Sequence, residues 1–253
     1  MLELYHWKPV SHSARVLICL NEIGLEFESR FVDLMAVEQF SPQFMALNPQ
    51  AQVPVLRVDG AALTESTLIN EYLAESNPAA GLAPEDPLGW YECLCWSKYV
   101  DYNLGSSVAT LGCRARLVPL LAGRDRRELL AAIDAIPVPE RRPGWRAAAE
   151  NAYGEDAIAN SERKVRLVLR RMEAVLAASD WLIGDRYSIA DIDSFAMLDV
   201  LRDIAPHLVN EDSAPQTMRW LSRIAARPAV AAALAMHDDV EGFAPGPEHS
   251  RWG

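Results

Sequence analysis

The sequence predicts an α+β fold in two domains: a mixed domain at residues 1–79 and an all-helical domain at 88–253, joined by a linker at 80–87. Three observations support this prediction. Short strand-like and helical runs alternate up to about residue 78, whereas the rest of the chain indicates helices and connecting loops. The linker, AGLAPEDP, has the Pro- and Gly-rich composition of a domain boundary. Half of the residues are apolar, which allows sizeable cores.

The chain begins with a β-α-β pattern. Residues 2–5 form a short apolar strand. Residues 13–23 repeat apolar side chains at helical spacing and stop at Gly24, a residue favoured just past a helix end. Residues 27–34 then predict a second strand. A strand, a crossover helix and a strand in this order make the two strands parallel.

A short helix and a hairpin follow. Ser41 provides an N-cap for a helix at 42–47, which has proline in its first turn. Residues 55–58 and 61–63 flank Asp59-Gly60, a dipeptide that favours the positive φ angles of a tight turn. These two strands are therefore antiparallel.

A helix at residues 66–76 completes the first domain, because its apolar residues lie on one side and Asn77-Pro78 ends it. The order is then β-α-β-α-β-β-α. A sheet with both parallel and antiparallel strands in this order is typical of a thioredoxin-like fold.

The second domain is predicted from helical spacing. Residues 87–112 form a long aromatic-rich helix, and 158–178 form an amphipathic one. Residues 189–201 are apolar on nearly all sides, so they belong at the centre of this domain, behind an S-x-x-D capping box at Ser188. The Pro-rich segment 114–154 is expected outside the core of the bundle.

Charge and composition exclude several classes of function. The formal net charge of -11 repels phosphate backbones, so no nucleic acid is expected as a partner. No stretch has the length of a membrane span and the N-terminus lacks a signal-peptide pattern, which predicts a cytoplasmic protein. The histidines show no zinc-binding spacing, so no metal is expected, and the four cysteines are predicted to be buried free thiols.

Several motifs resemble cytosolic glutathione transferases across nearly the whole chain. They are residues 48–56 (NPQAQVPVL), Thr64-Glu65-Ser66 at a helix start, and 184–191 (GDRYSIAD). Within that superfamily, Glu65-Ser66-Thr67 and the insertion at 136–145 resemble the bacterial enzymes that cleave β-aryl ethers derived from lignin. The resemblance implies glutathione as co-substrate.

It also implies a glutathione site in the first domain. Pro54 would follow a cis peptide bond, which turns the backbone N–H and C=O of Val53 toward the cysteinyl part of glutathione. Glu65 and Ser66 would hold the γ-glutamyl end at a helix N-terminus, and Gln52 would bond to the peptide part or the glycine end. Where relatives often carry a histidine or lysine for the glycyl carboxylate, this chain has Phe40 and Gln52.

The resemblance places the group that activates the glutathione thiol at the start of the first helix. The position that holds serine in several related classes is Val10 here, and Ser11 follows it. The ether-cleaving relatives carry an Asn-Ser pair at His12 and Ser13. Ser11, Ser13 and His12 are therefore the candidate catalytic residues, each as a hydrogen-bond donor to the thiolate.

The second substrate is predicted to be a small hydrophobic aromatic molecule. Trp96, Tyr99 and Asn103 share one face of the first long helix and could line its pocket, although an aromatic stripe of this kind is also typical of a core.

The expected activity is that of a glutathione S-transferase, most specifically cleavage of α-keto β-aryl ethers. Another glutathione-dependent enzyme, such as a dehalogenase or an isomerase, is the alternative, and a non-catalytic partner subunit is a third possibility. The family also implies a dimer, either of identical chains or with a related chain.

Overall fold

The computed structural model describes residues 1–236; residues 237–253, which the sequence assigns to the helical domain, lie outside them. A four-stranded sheet has the spatial order β2, β1, β3, β4. Its strands are β1 (Leu2–His6), β2 (Glu28–Phe31), β3 (Val55–Val58) and β4 (Ala61–Leu63). The β1–β2 pair is parallel, and the β1–β3 and β3–β4 pairs are antiparallel, which confirms the predicted mixed sheet.

Three helices cover the sheet: α1 (Ser11–Ile23), α2 (Pro42–Leu47) and α3 (Ser66–Ser76). Adjacent strand residues point to opposite faces. Leu4 therefore packs into the cluster that contains α1 and α3, while Tyr5 packs with Phe44 of α2 on the other face. The central strands β1 and β3 are thus covered on both faces, while β2 and β4 are more exposed.

The predicted caps and turns of this domain are confirmed. Gly24 ends α1 with a φ of 77°, and the Ser41 side chain accepts a hydrogen bond from Phe44 N. Asp59 and Gly60 both have positive φ angles, 48° and 95°, in the hairpin between β3 and β4. Helix α1 begins two positions before the predicted start, at Ser11, whose φ of 53° is unusual for a residue with a side chain.

The predicted long helix continues to residue 121 and contains two π-helical turns. Its parts, in order, are α4 (Pro87–Val100), a π turn (Asp101–Gly105), α5 (Ser106–Gly112), a second π turn (Cys113–Leu117) and α6 (Val118–Leu121). π turns occur often at functional sites. Both turns in this chain contribute residues near the candidate site.

The remaining helices are α7 (Arg126–Asp134), α8 (Arg142–Glu150), α9 (Glu155–Leu176), α10 (Ile189–Ile204), α11 (Pro215–Ala225) and α12 (Pro228–Leu234). As predicted, the 114–154 segment stays out of the main core: α7 and α8 form a separate apolar cluster. That cluster also contacts Val37 and Phe40 of the first domain. Residues 126–150, which include the insertion at 136–145 and are called the inserted segment from here on, therefore pack against the first domain.

Helix α10 lies at the centre, as its apolar composition predicts. Helices α1, α4 and α11 all pack against it, and the main apolar cluster continues from Leu17 and Leu73 to Phe195 and Trp220. This continuity fixes the N-terminus of α1 relative to the helical domain. Within residues 1–236, no helix combines the length and apolar character needed to cross a membrane.

Candidate functional site

A small cavity of about 60 Å³ lies where the N-termini of α1 and α3 meet the loop before β3. Its lining residues are His12, Asn48, Gln52, Val53, Pro54, Glu65 and Ser66. The Val53–Pro54 peptide bond is cis, as the resemblance implies. The structure thus brings together the residues expected to bind glutathione and one of the three candidate catalytic residues.

The backbone of Val53 is available to a ligand. Residues 1–236 contribute no hydrogen bond to its N–H or C=O, and the β1–β3 ladder begins only at Val55. Asn48 holds the loop in place because its side-chain nitrogen donates to the carbonyl oxygen of Gln52 over 2.9 Å. An open N–H and C=O on one residue can pair with a bound peptide as a neighbouring strand would.

The N-terminus of α3 forms the opposite wall. Glu65 has a φ of 69°, a strained value for a residue with a side chain, and α3 begins at the next residue, so its first turn, with unpaired N–H groups, starts at the cavity wall. Ser66 is buried, and its hydroxyl accepts a hydrogen bond from Arg15 over 3.2 Å. A helix N-terminus of this kind attracts a carboxylate.

The fully buried side chain of Arg15 connects the walls of the cavity through hydrogen bonds. Its Nη1 donates to Asp101 Oδ1 at 2.5 Å and lies 3.4 Å from His12 Nδ1. Its Nε donates to the carbonyl oxygen of Asp193 in α10 over 3.1 Å. The first π turn places Asp101 here, where its other oxygen accepts from Thr67 of α3. The starts of α1 and α3 are therefore fixed to the helical domain by a buried ionic network.

His12 is a neutral hydrogen-bonding group in this network. Loss of hydration and the positive charge of Arg15 lower its pKa to about 4, while Asp101 opposes that shift. The loss of hydration is partial, because His12 as a whole residue is exposed to solvent. A guanidinium only donates, so Nδ1 is an acceptor toward Arg15, and the ring proton of neutral His12 lies on Nε2.

The two candidate serines differ in their surroundings. The Ser11 hydroxyl is partly exposed and lies 3.5 Å from the Met197 sulfur of α10. Ser13 is buried, and its hydroxyl accepts a hydrogen bond from the backbone N–H of Trp7 over 3.2 Å. Neither serine lines the small cavity, although both lie within one residue of His12.

A second cavity, of about 410 Å³, adjoins the first and shares Gln52 and Val53 with it. Its apolar wall is made by Leu34, Met35, Leu117 and Trp145. Its polar groups are Gln39, Cys113, Glu140 and Arg141. The inserted segment supplies Trp145 and Arg141, and the second π turn supplies Cys113 and Leu117.

The structure does not bring Trp96, Tyr99 and Asn103 to either cavity beside Val53. Trp96 is 2% exposed and donates to Ser194 of α10, so it belongs to the core. Tyr99 packs with Trp96 against Arg171, and the Asn103 amide donates to the carbonyl oxygen of Tyr99. Helical spacing correctly puts them on one side of the helix, but most of that side faces α9 and α10.

The cysteines are free thiols, but the expectation that all are buried is wrong: Cys95 is exposed and Cys113 is half-buried. Burial raises the pKa of the Cys113 thiol, which keeps it protonated at the cavity wall near neutral pH. Residues 1–236 contain no cluster of three or more His, Cys, Asp or Glu side chains placed to hold a metal ion.

Sequence reasoning missed the Arg15–Asp101 pair and the cavity wall supplied by the inserted segment. Arg15 had one usable signal, a lone arginine in the apolar run ARVLICL, because a buried guanidinium needs a carboxylate partner. Nothing in the sequence predicted the π turns, so the direction of Asp101 and Cys113 could not be predicted.

Comparisons with known proteins agree with this arrangement. Residues 1–75 match the family model for the glutathione S-transferase N-terminal domain, and residues 131–228 match that for its C-terminal domain. The protein LigF of Sphingobium sp. (strain NBRC 103272 / SYK-6) is 37% identical over 90% of this chain and 91% of its own. The crystal structure of β-etherase LigF from strain SYK-6 superposes with a TM-score of 0.85 over 92% of this chain and 98% of that one, at 36% identity.

Two further proteins extend the comparison. A sphingomonad glutathione S-transferase complexed with glutathione is 27% identical, with a TM-score of 0.67 over 92% of this chain and 96% of its own. A tetrachloro-p-hydroquinone reductive dehalogenase from Sphingobium chlorophenolicum is 29% identical over 76% of this chain and 79% of its own.

Proposed function

The chain belongs to the glutathione S-transferase family and uses glutathione as co-substrate, and we propose that this enzyme cleaves β-aryl ethers that carry an adjacent ketone. The observation that carries the proposal is the 410 Å³ cavity next to Val53. It has the size of a small-molecule pocket, and Trp145, Leu34 and Leu117 give it a wall suited to an aryl ring. The likeness to a β-etherase supports the same substrate class.

Glutathione would bind in an extended form across the small cavity. The N–H and C=O of Val53, set by cis Pro54, would pair with the cysteinyl part of the ligand, with Gln52 beside it. The γ-glutamyl carboxylate would lie at the N-terminus of α3 against Ser66, and Glu65 would pair with the γ-glutamyl ammonium.

The thiol of bound glutathione must lose its proton near neutral pH, although an ordinary thiol has a pKa of about 8.5. We assign the stabilising hydrogen bonds to the loop at the start of α1, where His12, Ser11 and Ser13 are the available donors. His12 has the best placement, since it lines the small cavity and its neutral ring has a donor at Nε2. Ser11 comes next, because its hydroxyl is partly exposed and its only partner within residues 1–236 is a weak sulfur acceptor.

The proposed reaction is a substitution at the β-carbon. The glutathione sulfur forms a bond to that carbon, the bond from carbon to the aryl oxygen breaks, and the electron pair leaves with the phenolate, which takes a proton from water. The neighbouring ketone activates the carbon toward attack. The protein contributes a stabilised thiolate, alignment of the two substrates and a partly dry cavity.

A glutathione-dependent dehalogenase is the alternative with its own support, namely the similarity to the tetrachloro-p-hydroquinone enzyme. The loop at 8–15 contains no cysteine, which disfavours a mechanism through a protein–glutathione disulfide.

The location that we propose is the cytoplasm, because it supplies reduced glutathione.

An assay of substrate classes tests the proposal. The chain is incubated, with and without glutathione, with an α-keto β-aryl ether, with the corresponding alcohol and with a chlorinated hydroquinone. We expect phenol release from the ketone only, and only with glutathione. Chloride release without phenol release would favour the dehalogenase, and phenol release only after a related chain is added would indicate a partner subunit.

A further inference from the structure

Arg141 is the only side chain with a permanent positive charge among the residues that line the two cavities beside Val53. His12, the other basic residue there, is neutral at pH 7 because its pKa is lowered to about 4. Arg15 lies close by, but it is fully buried and its charge is paired with Asp101. We propose that Arg141 binds the glycyl carboxylate of glutathione, an assignment that rests on the glutathione site proposed above.

The guanidinium of Arg141 is held in place but retains free donors. Its Nε donates to the carbonyl oxygen of Gln50 over 3.0 Å, and Nη2 lies 3.5 Å from the Gln50 side-chain oxygen. Among residues 1–236, no carboxylate lies within 4.0 Å of this guanidinium, although Glu140 lines the same cavity. An anchored cation without an anionic partner suits a planar carboxylate.

The bound glutathione would run from Ser66 toward Arg141. With the γ-glutamyl end at the start of α3 and the cysteinyl part at Val53, the ligand continues past Gln52, the residue that both cavities share with Val53. An extended chain advances about 3.3 Å per residue, so the glycine falls in the larger cavity. Arg141 lines that cavity and is bonded to the loop two residues before Gln52.

The charge of the molecule makes a local cation important. The chain carries a formal net charge of -11, and glutathione has two carboxylates and one ammonium at neutral pH, so both are anionic. The α3 N-terminus accounts for one carboxylate and leaves the glycyl carboxylate in need of a positive partner. The first domain has Phe40 and Gln52 where relatives often carry a histidine or lysine, and the inserted segment supplies Arg141 instead.

The inserted segment is packed firmly enough to hold this residue. Its apolar cluster includes Leu129, Ile133 and Ile136, and it contacts Val37 and Phe40 of the first domain. Residues of both domains would therefore close around the glycine end of glutathione.

Calorimetry with three ligands tests this assignment: glutathione, its glycyl ethyl ester, and γ-glutamylcysteine, which lacks the glycine. For Arg141→Met we expect binding of glutathione to weaken by about tenfold or more, the range for one charge-assisted contact. Binding of the ester and of γ-glutamylcysteine is expected to stay within about twofold of wild type. Arg146→Met removes the same charge from the same segment, where Arg146 pairs with Asp134, and is expected to leave all three affinities unchanged.

The other outcomes overturn the assignment in distinguishable ways. Equal weakening of all three ligands by Arg141→Met would mean that Arg141 only positions the Gln50 loop. Unchanged glutathione affinity would mean that it makes no contact at all. Ser66→Ala is expected to weaken glutathione and γ-glutamylcysteine alike; a wild-type chain that binds neither would overturn the proposed glutathione site together with this assignment.

Discussion

Arg15 shows how one buried side chain organises the candidate site. A buried guanidinium is costly unless its donors are satisfied, and Arg15 pairs its Nε and Nη1 with the Asp193 carbonyl, Asp101 and Ser66, while its Nη2 has no partner among residues 1–236. One of these contacts holds the Ser66 hydroxyl, and the charge of Arg15 adds to the loss of hydration that lowers the pKa of His12 and keeps its ring neutral. The geometry of the loop at the start of α1 therefore depends on residues of the first π turn, α3 and α10 as well as on its own sequence.

Three substitutions identify the group that stabilises the thiolate. His12→Ala, Ser11→Ala and Ser13→Ala are compared by the ultraviolet absorbance of the bound glutathione thiolate against pH. Loss of the main donor is expected to raise the thiol pKa by about 1 or more and to lower turnover at pH 7, with partial recovery at high pH. We expect the largest effect for His12→Ala, a smaller one for Ser11→Ala and the smallest for Ser13→Ala.

Ser76→Ala, at the far end of α3, serves as the control and is expected to leave the titration unchanged. An unshifted titration in all three test variants would remove this loop from the mechanism.

In the wild type, His12 is expected to stay neutral from pH 7 down to about 5, because its folded pKa is about 4. The unfolded chain binds more protons between pH 4 and the ordinary value of about 6.5, so His12 lowers stability as the pH falls through that window.

Much of the site could be predicted from local sequence, and the missing part depends on distant contacts. Val53, Pro54, Glu65 and Ser66 belong to short motifs, and the structure brings them into one cavity with His12. Trp96 was assigned to the pocket of the second substrate from helical spacing. That spacing identifies residues on one side of a helix, but it does not tell whether that side faces a pocket or the core.

At the scale of elements, Asp191 is the residue on which the start of α10 depends. Its carboxyl group accepts hydrogen bonds from Ser188 N at 3.1 Å, Leu182 N at 3.1 Å and Trp220 Nε1 at 2.9 Å. The capping box predicted from the sequence is thus confirmed, and it has two additional donors from outside the motif. Since α1 packs on α10, the start of α10 also supports the loop that carries the candidate catalytic residues.

Asp191→Ala is expected to lower the free energy of unfolding by about 3 to 5 kcal/mol, because it removes a cap and leaves several buried donors unpaired. Urea unfolding followed by circular dichroism measures the change. Asp185→Ala, which removes a carboxylate from the exposed preceding turn, is the control and is expected to change it by less than about 0.5 kcal/mol. Equal effects of the two variants would contradict the structural role of Asp191.

The same carboxyl group gives stability a pH dependence. Burial raises the pKa of Asp191 to about 6, partly offset by its hydrogen bonds. The folded state then binds more protons than the unfolded state between pH 4 and 6, so this contribution to stability is lost as the pH rises through that range. Relative to Asp191→Asn, which cannot ionise, the wild type is expected to be less stable at pH 7 than at pH 4.

The bounds of elements that depend on a few adjacent residues could be predicted closely from the sequence. The bounds of elements shaped by tertiary packing could not. The hairpin at Asp59-Gly60 and the α2 cap depend on a few adjacent residues, and their bounds agree with the sequence. The π turns at Asp101–Gly105 and Cys113–Leu117 change the helical register without any proline there to mark them. Their position depends on contacts made by the finished fold.

At the scale of the whole molecule, α3 and α4 present an apolar surface that nothing in the described chain covers. The exposed side chains are Leu68 at 58%, Tyr72 at 41%, Leu88 at 66% and Tyr91 at 63%. The two helices pack together, and Trp90 of α4 donates to Glu75 of α3. Soluble monomers seldom expose large apolar side chains so close together, so we propose that this surface pairs two chains.

Light scattering is expected to give twice the mass of the chain at micromolar concentration. The double variant Leu68→Glu, Tyr91→Glu places charge on this surface and is expected to shift the equilibrium to monomers, because desolvating unpaired carboxylates in an interface is costly. Leu120→Glu, at an exposed apolar position in α6, is expected to remain dimeric. A monomeric wild type would remove the contact. A double variant that stays dimeric while Leu120→Glu becomes monomeric would place the contact elsewhere. Because Ser66 and Thr67 begin the same helix as Leu68, a monomeric variant that also binds glutathione less tightly would indicate that pairing supports the glutathione site.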